Sequence, residues 1–206
     1  MLKKIKIEQS GRTIVEMLAY ISLMITITAS FATLVGRGYH QYESSLIQQE
    51  LVDLKKTISE RYAVDGNYAN LKWDDLCEDN IGPRTLMPPR QCIQDGSKKI
   101  CKCKEGSGAW HAFGGPVIIG AADNNQTFYI TFQKLPQDIC GQLGVKNWSA
   151  MEGSDLDRMS VNGRVWAWPY SPVYNGTIYK ELPATVDDVI NACNEGRENE
   201  ITWYFN

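Results

Sequence analysis

Histidine is nearly absent from this 206-residue chain, which has only His40 and His111. That scarcity removes the commonest general acid–base group and most histidine-based metal centres. A Cys–His nucleophile pair would need a free thiol, and the cysteines number six, an even count. Positive charge is not in surplus either: the formal net charge is −3, so no basic surface across the chain points to nucleic acid. The acidic residues Asp74, Asp75, Glu78 and Asp79 lack the alternating spacing of a calcium loop and read as a solvated turn. Gly106, Gly108, Gly114 and Gly115 open no helix and carry no following Lys-Ser or Lys-Thr, so they are loop glycines rather than a phosphate cradle. There is no internal repeat and no low-complexity tract. These absences predict a protein that is not an enzyme and holds no cofactor.

One further absence is local. From Ile14 to Val35 a single charged residue, Glu16, interrupts an otherwise apolar run. At 1.5 Å per residue such a helix is about 33 Å long, enough to cross a bilayer. A carboxylate inside such a span costs roughly 2.5–3.5 kcal/mol at the centre and less near an edge, so Glu16 calls for a partner. Ahead of the run, residues 1–11 hold Lys3, Lys4 and Lys6 against Glu8, a net +2 that leaves −5 for the remainder. The positive-inside rule keeps this leader in the cytoplasm and exports everything after the span. The six cysteines then lie in an oxidising space, where disulfides persist. No small-x-small site follows the apolar run, so the leader is not that of an ordinary secretory signal peptide.

The helix is predicted to continue beyond the span. Ile47, Leu51, Leu54, Ile58 and Tyr62 fall on one helical face, with Glu43, Gln48, Asp53, Lys55, Ser59 and Glu60 elsewhere. A helix from Ile14 to Tyr62 would be roughly 70 Å long and would end at Asp65-Gly66. Gly36 and Gly38 weaken its middle by up to about 1 kcal/mol each, making either a flexible neck or a segment that melts when subunits pack. Residues 67–115 read as irregular and rich in proline and glycine. Pro116 to Ala122 and Thr127 to Leu135 read as two strands around Asp123-Asn124-Asn125. Leu135 to Gly144 reads as a short helix with Pro136 at its first position. Asn162-Gly163 is a two-residue hairpin turn, and Asn175-Gly176 repeats the signal. Thr185 and Asp188 form the ends of a capping box for a helix reaching Cys193, and Ile201 to Phe205 closes the chain as a strand. The predicted class is α+β: a long N-terminal helix, two short ones and a mostly antiparallel sheet. Trp148, Trp166, Trp168, Tyr170, Tyr174 and Tyr179 concentrate aromatics in residues 148–179, as core and hairpin packing or as a contact patch.

Six cysteines allow fifteen pairings. Cys101 and Cys103 point to the same face of an extended segment, which disfavours a bond between them. The competing use of these residues is zinc, held by Cys92, Cys101, Cys103 and His111. Their C-x-C spacing suits a closed structural site poorly, and export favours disulfides.

A short basic leader, Gly11, and a glutamate as the fifth residue after it, ahead of an uninterrupted apolar run, resemble the processing site of type IV prepilins. The resemblance implies that a prepilin peptidase cuts between Gly11 and Arg12 and methylates the new N-terminus. It also implies that Glu16 neutralises the N-terminal amine of a neighbouring subunit during assembly by the inner-membrane machinery. Arg12 stands where the family usually has a large apolar residue. Further on, Phe128-Tyr129-Ile130-Thr131-Phe132, Leu135-Pro136 ahead of Cys140, and Ala192-Cys193 before Asn199-Glu200-Ile201-Thr202-Trp203 resemble the disulfide-bounded C-terminal region of type IVb pilins. That likeness implies a Cys140–Cys193 bond. With it, and without Cys101–Cys103, Cys77 and Cys92 each take one of Cys101 and Cys103, leaving two connectivities.

The expected layout is therefore a leader (1–11), a membrane and filament-core helix half (12–36), an amphipathic half (37–65) and a pilin-like head (66–206) with disulfide-stapled loops. The expected role is a self-polymerising structural subunit, anchored in the inner membrane and then placed on the cell surface for attachment, aggregation or conjugation. The alternative is a minor pilin or secretion-system pseudopilin that primes assembly or binds a ligand.

Overall fold

The computed structural model describes residues 12–104, 107–148, 155–168 and 179–206. Gly11 and the basic leader lie outside the described residues, as does the Asn175-Gly176 turn. By contacts the chain forms two compact units, Met1–Tyr42 and Glu43–Asn206. One helix, α1 (Arg12–Tyr62), runs through both and remains helical at Gly36 and Gly38.

In the first unit the described side chains of α1 lie in the open: the window Ile14–Phe31 buries none of its residues. In the second unit, α1 contributes Ile47, Leu51, Leu54, Ile58 and Tyr62 to the core, all 5% exposed or less. The i, i+4, i+7, i+11, i+15 spacing read in the sequence is the buried stripe. The helix ends where Gly66, at φ 65°, takes the left-handed conformation and its N–H bonds to the carbonyl of Tyr62 at 3.2 Å.

The head is built on a seven-stranded sheet. Its strands are β3 (Ala109–Trp110), β4 (Pro116–Ala122), β5 (Thr127–Leu135), β6 (Leu156–Val161), β7 (Arg164–Ala167), β8 (Lys180–Glu181) and β9 (Asn199–Phe205). Their spatial order is β3-β4-β5-β9-β6-β7-β8. All described pairings in this sheet are antiparallel except β7 with β8. The last strand therefore sits in the middle, hydrogen-bonded to β5 on one side and β6 on the other. The predicted strands at 116–122 and 127–135 carry the same bounds in the structure. Asn162 and Gly163 both have positive φ, 49° and 81°, as a type I′ turn requires.

Two chains of rings run through the core. Tyr62, Tyr68, Phe128 and Phe205 form one, with centroids 4.8–5.9 Å apart. Trp148, Trp203, Phe132 and His111 form the other, at 5.5–5.6 Å. Such contacts add about 0.5–1.5 kcal/mol each beyond burial.

The segment 67–115 is more ordered than the sequence suggested. It holds α2 (Trp73–Asp79) and a separate two-stranded sheet of β1 (Arg90–Asp95) and β2 (Lys98–Cys103). Gly96 at φ 59° makes the turn of that hairpin. Both strands are largely exposed, so no apolar alternation marks them in the sequence. Two short helices complete the head, α3 (Gln137–Val145) and α4 (Val186–Ile190). Pro136 is the N-cap of α3 rather than its first residue. Thr185 caps α4, its side chain accepting from the Asp188 N–H, and the helix stops at Ile190 instead of reaching Cys193.

Candidate assembly surface

Between Ile14 and Phe31 the apolar half of α1 contains four serine and threonine hydroxyls, and the helix satisfies them itself. Ser22 donates to the Ala19 carbonyl at 2.9 Å, Thr26 to Ser22 at 2.6 Å and Ser30 to Thr26 at 2.7 Å; Thr28 donates to Met24. Backbone groups are bonded along the helix and the hydroxyls point back onto it, so this surface requires no water. Its outward side chains are large and apolar: Val15, Met17 and Met24 are 67–68% exposed. A contiguous apolar surface of this kind is stable only in lipid or against other protein.

Glu16 is the exception on this surface. It is exposed on α1 between Val15 and Met17, and no cation whose side chain is described forms an ion pair with it. Arg12 is the first residue of α1. The structure thus places Glu16 one turn into α1, on its exposed surface.

The six cysteines form Cys77–Cys103, Cys92–Cys101 and Cys140–Cys193, and none is free. Cys92–Cys101 crosses the β1–β2 hairpin between directly opposed residues, and Cys77–Cys103 ties that hairpin to α2. Cys92, Cys101 and Cys103 are thereby consumed. His111 is spoken for as well: Nε2–H donates to the Gln133 carbonyl at 2.7 Å and Nδ1 accepts from the Phe113 N–H at 3.2 Å. The alternative zinc set is not assembled. Burial lowers the His111 pKa from its usual value, against the pull of the Gln133 carbonyl.

Cys140–Cys193, 53 residues apart, closes a loop that runs from within α3 through β6, β7 and β8 to just beyond α4. α3 and α4 pack closely because residue 144 is glycine: a Cβ there would lie 2.5 Å from Val189 Cγ1. Between them runs a groove of ≈ 410 Å³ lined by Gly141, Gln142, Val145, Val186 and Ile190. Two asparagines lock the region. Asn199 is fully buried; its amide donates to the carbonyls of Leu135 and Asn194 at 3.1 and 3.0 Å and its oxygen accepts from the Asn194 N–H at 2.6 Å. The Asn162 amide bridges to Asn199 Oδ1 and to the Ala192 carbonyl, both at 2.8 Å. Sequence reading found Asn162 as a turn residue and missed it as a brace, since nothing local marks a long-range hydrogen bond. Of the aromatic cluster, Trp148 and Trp166 are buried and Tyr179 is 45% exposed; Tyr170 and Tyr174 lie outside the described residues.

Comparison with protein families decides what this arrangement is. Residues 41–206 match the family model described as PilS N terminal, a family of type IV pilins. The chain belongs to this family. Its head, with a helix stripe laid into an antiparallel-rich sheet and three disulfides, is a pilin fold of the α+β class. Among solved structures, a type IV b pilin from Salmonella typhi is similar to this pilin with a TM-score of 0.46 and 19% sequence identity, over 77% of this chain and 99% of that one. No curated protein sequence matches it. Pilins are structural, non-enzymatic subunits that self-associate into filaments. The family match begins at Gln41, so it does not reach the leader or Glu16.

Proposed function

We propose that this pilin is the structural subunit of a type IVb-like pilus. It is made as an inner-membrane precursor, cut after Gly11, methylated at Arg12 and polymerised through the apolar half of α1. Within this reading residues 1–11 are the leader, 12–36 the membrane and filament-core half of the helix, 37–65 its amphipathic half and 66–206 the head. The observation that carries it is the window Ile14–Phe31, which buries nothing within the chain and has its serine and threonine hydroxyls bonded back to its own carbonyls. Such a helix passes from lipid to a core of like helices without changing its hydrogen bonds.

Glu16 supplies specificity in this scheme. Two unpaired charges in an apolar core are expensive, whereas a carboxylate set against the N-terminal amine of a neighbour leaves neither uncompensated. Register along the filament then follows from where that pair forms.

The test is an intact, non-reduced mass of the protein from sheared surface material and from membranes of its native host. An abundant surface species beginning at methylated Arg12 supports a processed major subunit. A full-length species confined to the membrane contradicts processing and polymerisation alike. A processed species that is scarce in sheared material identifies a minor or priming subunit instead.

A further inference from the structure

The β1–β2 hairpin differs from the rest of the head in charge. Residues 90–104 hold Arg90, Lys98, Lys99, Lys102 and Lys104 against Asp95, a net +4 in a chain whose total is −3. All five cations are exposed. Elsewhere in the head, Lys55, Lys56, Arg61, Arg158 and Lys180 are in ion pairs, while Lys72, Arg84, Lys134, Lys146, Arg164 and Arg197 stand singly along the chain rather than clustered. Among the described residues, none of the five clustered hairpin cations forms an ion pair, and the only carboxylate on the hairpin is Asp95 opposite Lys98. The hairpin is therefore a positive patch open to an anionic surface.

Residues opposed across an antiparallel pair share a face. One face of the hairpin therefore carries Gln91 with Lys102, Ile93 with Ile100, and Asp95 with Lys98. An isoleucine pair sits between two lysines, Ile93 is 64% exposed, and a groove of ≈ 470 Å³ runs along it. The Cys92–Cys101 and Cys77–Cys103 bonds hold this small sheet in shape without a core beneath it.

We propose that this hairpin docks on an anionic lipid surface, its lysines on phosphate headgroups and the Ile93–Ile100 pair at the acyl boundary. Lysine outnumbers arginine four to one here, giving point charges rather than the planar fork that reads base edges. The hairpin has no aromatic ring for bases to stack on. A nucleic acid or a sulfated polymer offers nothing to the isoleucines, whereas a bilayer offers both phosphate and an apolar phase.

The test uses the full-length chain in phosphatidylcholine vesicles, where α1 is occupied and no filament is needed, so it does not depend on polymerisation. These are mixed with separately labelled vesicles containing phosphatidylglycerol, and tethering is measured. Tethering is expected at low salt and falls as salt rises. The Lys98→Ala/Lys102→Ala variant weakens it about 25-fold, at about fivefold per lysine, and Lys98→Arg/Lys102→Arg retains it. Ile93→Ser/Ile100→Ser also weakens it while leaving salt dependence in place. Equal tethering of pure phosphatidylcholine vesicles, or indifference to the lysine substitutions, overturns the proposal. So does duplex DNA or heparin captured as well as phosphatidylglycerol with no effect of the isoleucine substitutions, which would identify a general polyanion site.

Discussion

The window Ile14–Phe31 and the head Glu43–Asn206 solve the problem of apolar surface in opposite ways. The head turns its large side chains inward, with Trp166, Trp203, Phe128 and Phe132 fully buried. The helix window keeps every residue outside. The head is finished by folding, because its last strand, β9, closes the sheet between β5 and β6 and the Cys140–Cys193 disulfide closes the stretch of chain between β5 and β9. The helix is finished only by lipid or by neighbours. One chain thus carries a region that covers its own apolar surface and a region that leaves its apolar surface to be covered from outside.

Substitutions separate the two. The largest effect on the head alone is expected from Cys140→Ser/Cys193→Ser. Opening a loop of 53 residues removes about 4 kcal/mol by the chain-entropy estimate, read as a fall in the urea midpoint of the head. Membrane insertion of α1 is unchanged in that variant; its loss would mean that the two regions are not separable. Next comes Gly144→Ala, which drives a methyl into Val189 where α3 meets α4 and is expected to cost about 1–3 kcal/mol by the same measurement. An unchanged midpoint would show that α4 gives way freely.

Two buried titratable groups sharpen the comparison, with opposite signs. The His111 pKa is lowered by burial in the fold, so the unfolded chain binds the proton more readily. Its contribution is present above the unfolded value of about 6.5 and is lost as pH falls through the folded value. Between pH 7.5 and 5.5 the His111 contribution is expected to fall, so His111→Gln, less stable by about 1 kcal/mol at neutral pH, closes its gap to the parent as pH drops. Glu50 on α1 is 2% exposed, with Oε2 unpartnered among the described residues. Burial raises its pKa, opposed by a hydrogen bond from Thr85. Its contribution is present below the unfolded pKa and lost as pH rises through the folded one. Glu50→Gln is therefore expected to raise the midpoint at pH 7, by about 1 kcal/mol; a lower midpoint would show that the carboxylate is needed.

The parts of the fold legible in the sequence are those marked by local signals. The Ile47-to-Tyr62 stripe is helically spaced burial, the strands at 116–122 and 127–135 are rich in β-branched and aromatic residues, and the Asn162-Gly163 turn carries the residues that positive φ demands. The β1–β2 hairpin has almost nothing to bury, so Asp95-Gly96 went unread as a turn between strands. α2 has seven residues and buries only Leu76 and Cys77, too few to set a period. The central position of β9 and the bracing by Asn199 depend on pairings with residues far off in the chain, which no local pattern encodes. Glu16 stood out because one charge in an apolar run is visible in composition. The cations of residues 90–104 did not, because a whole-chain charge averages them against the acidic remainder.

The account rests on Glu16 serving assembly and not folding, and Glu16→Ala tests it most directly. Filament yield in sheared material and the urea midpoint of the head are measured on the same strain, with cleavage after Gly11 checked by mass. The expected result is a processed, membrane-inserted protein with an unchanged midpoint and filaments sharply reduced. Normal piliation in that variant would contradict the pairing of Glu16 with a neighbouring N-terminus.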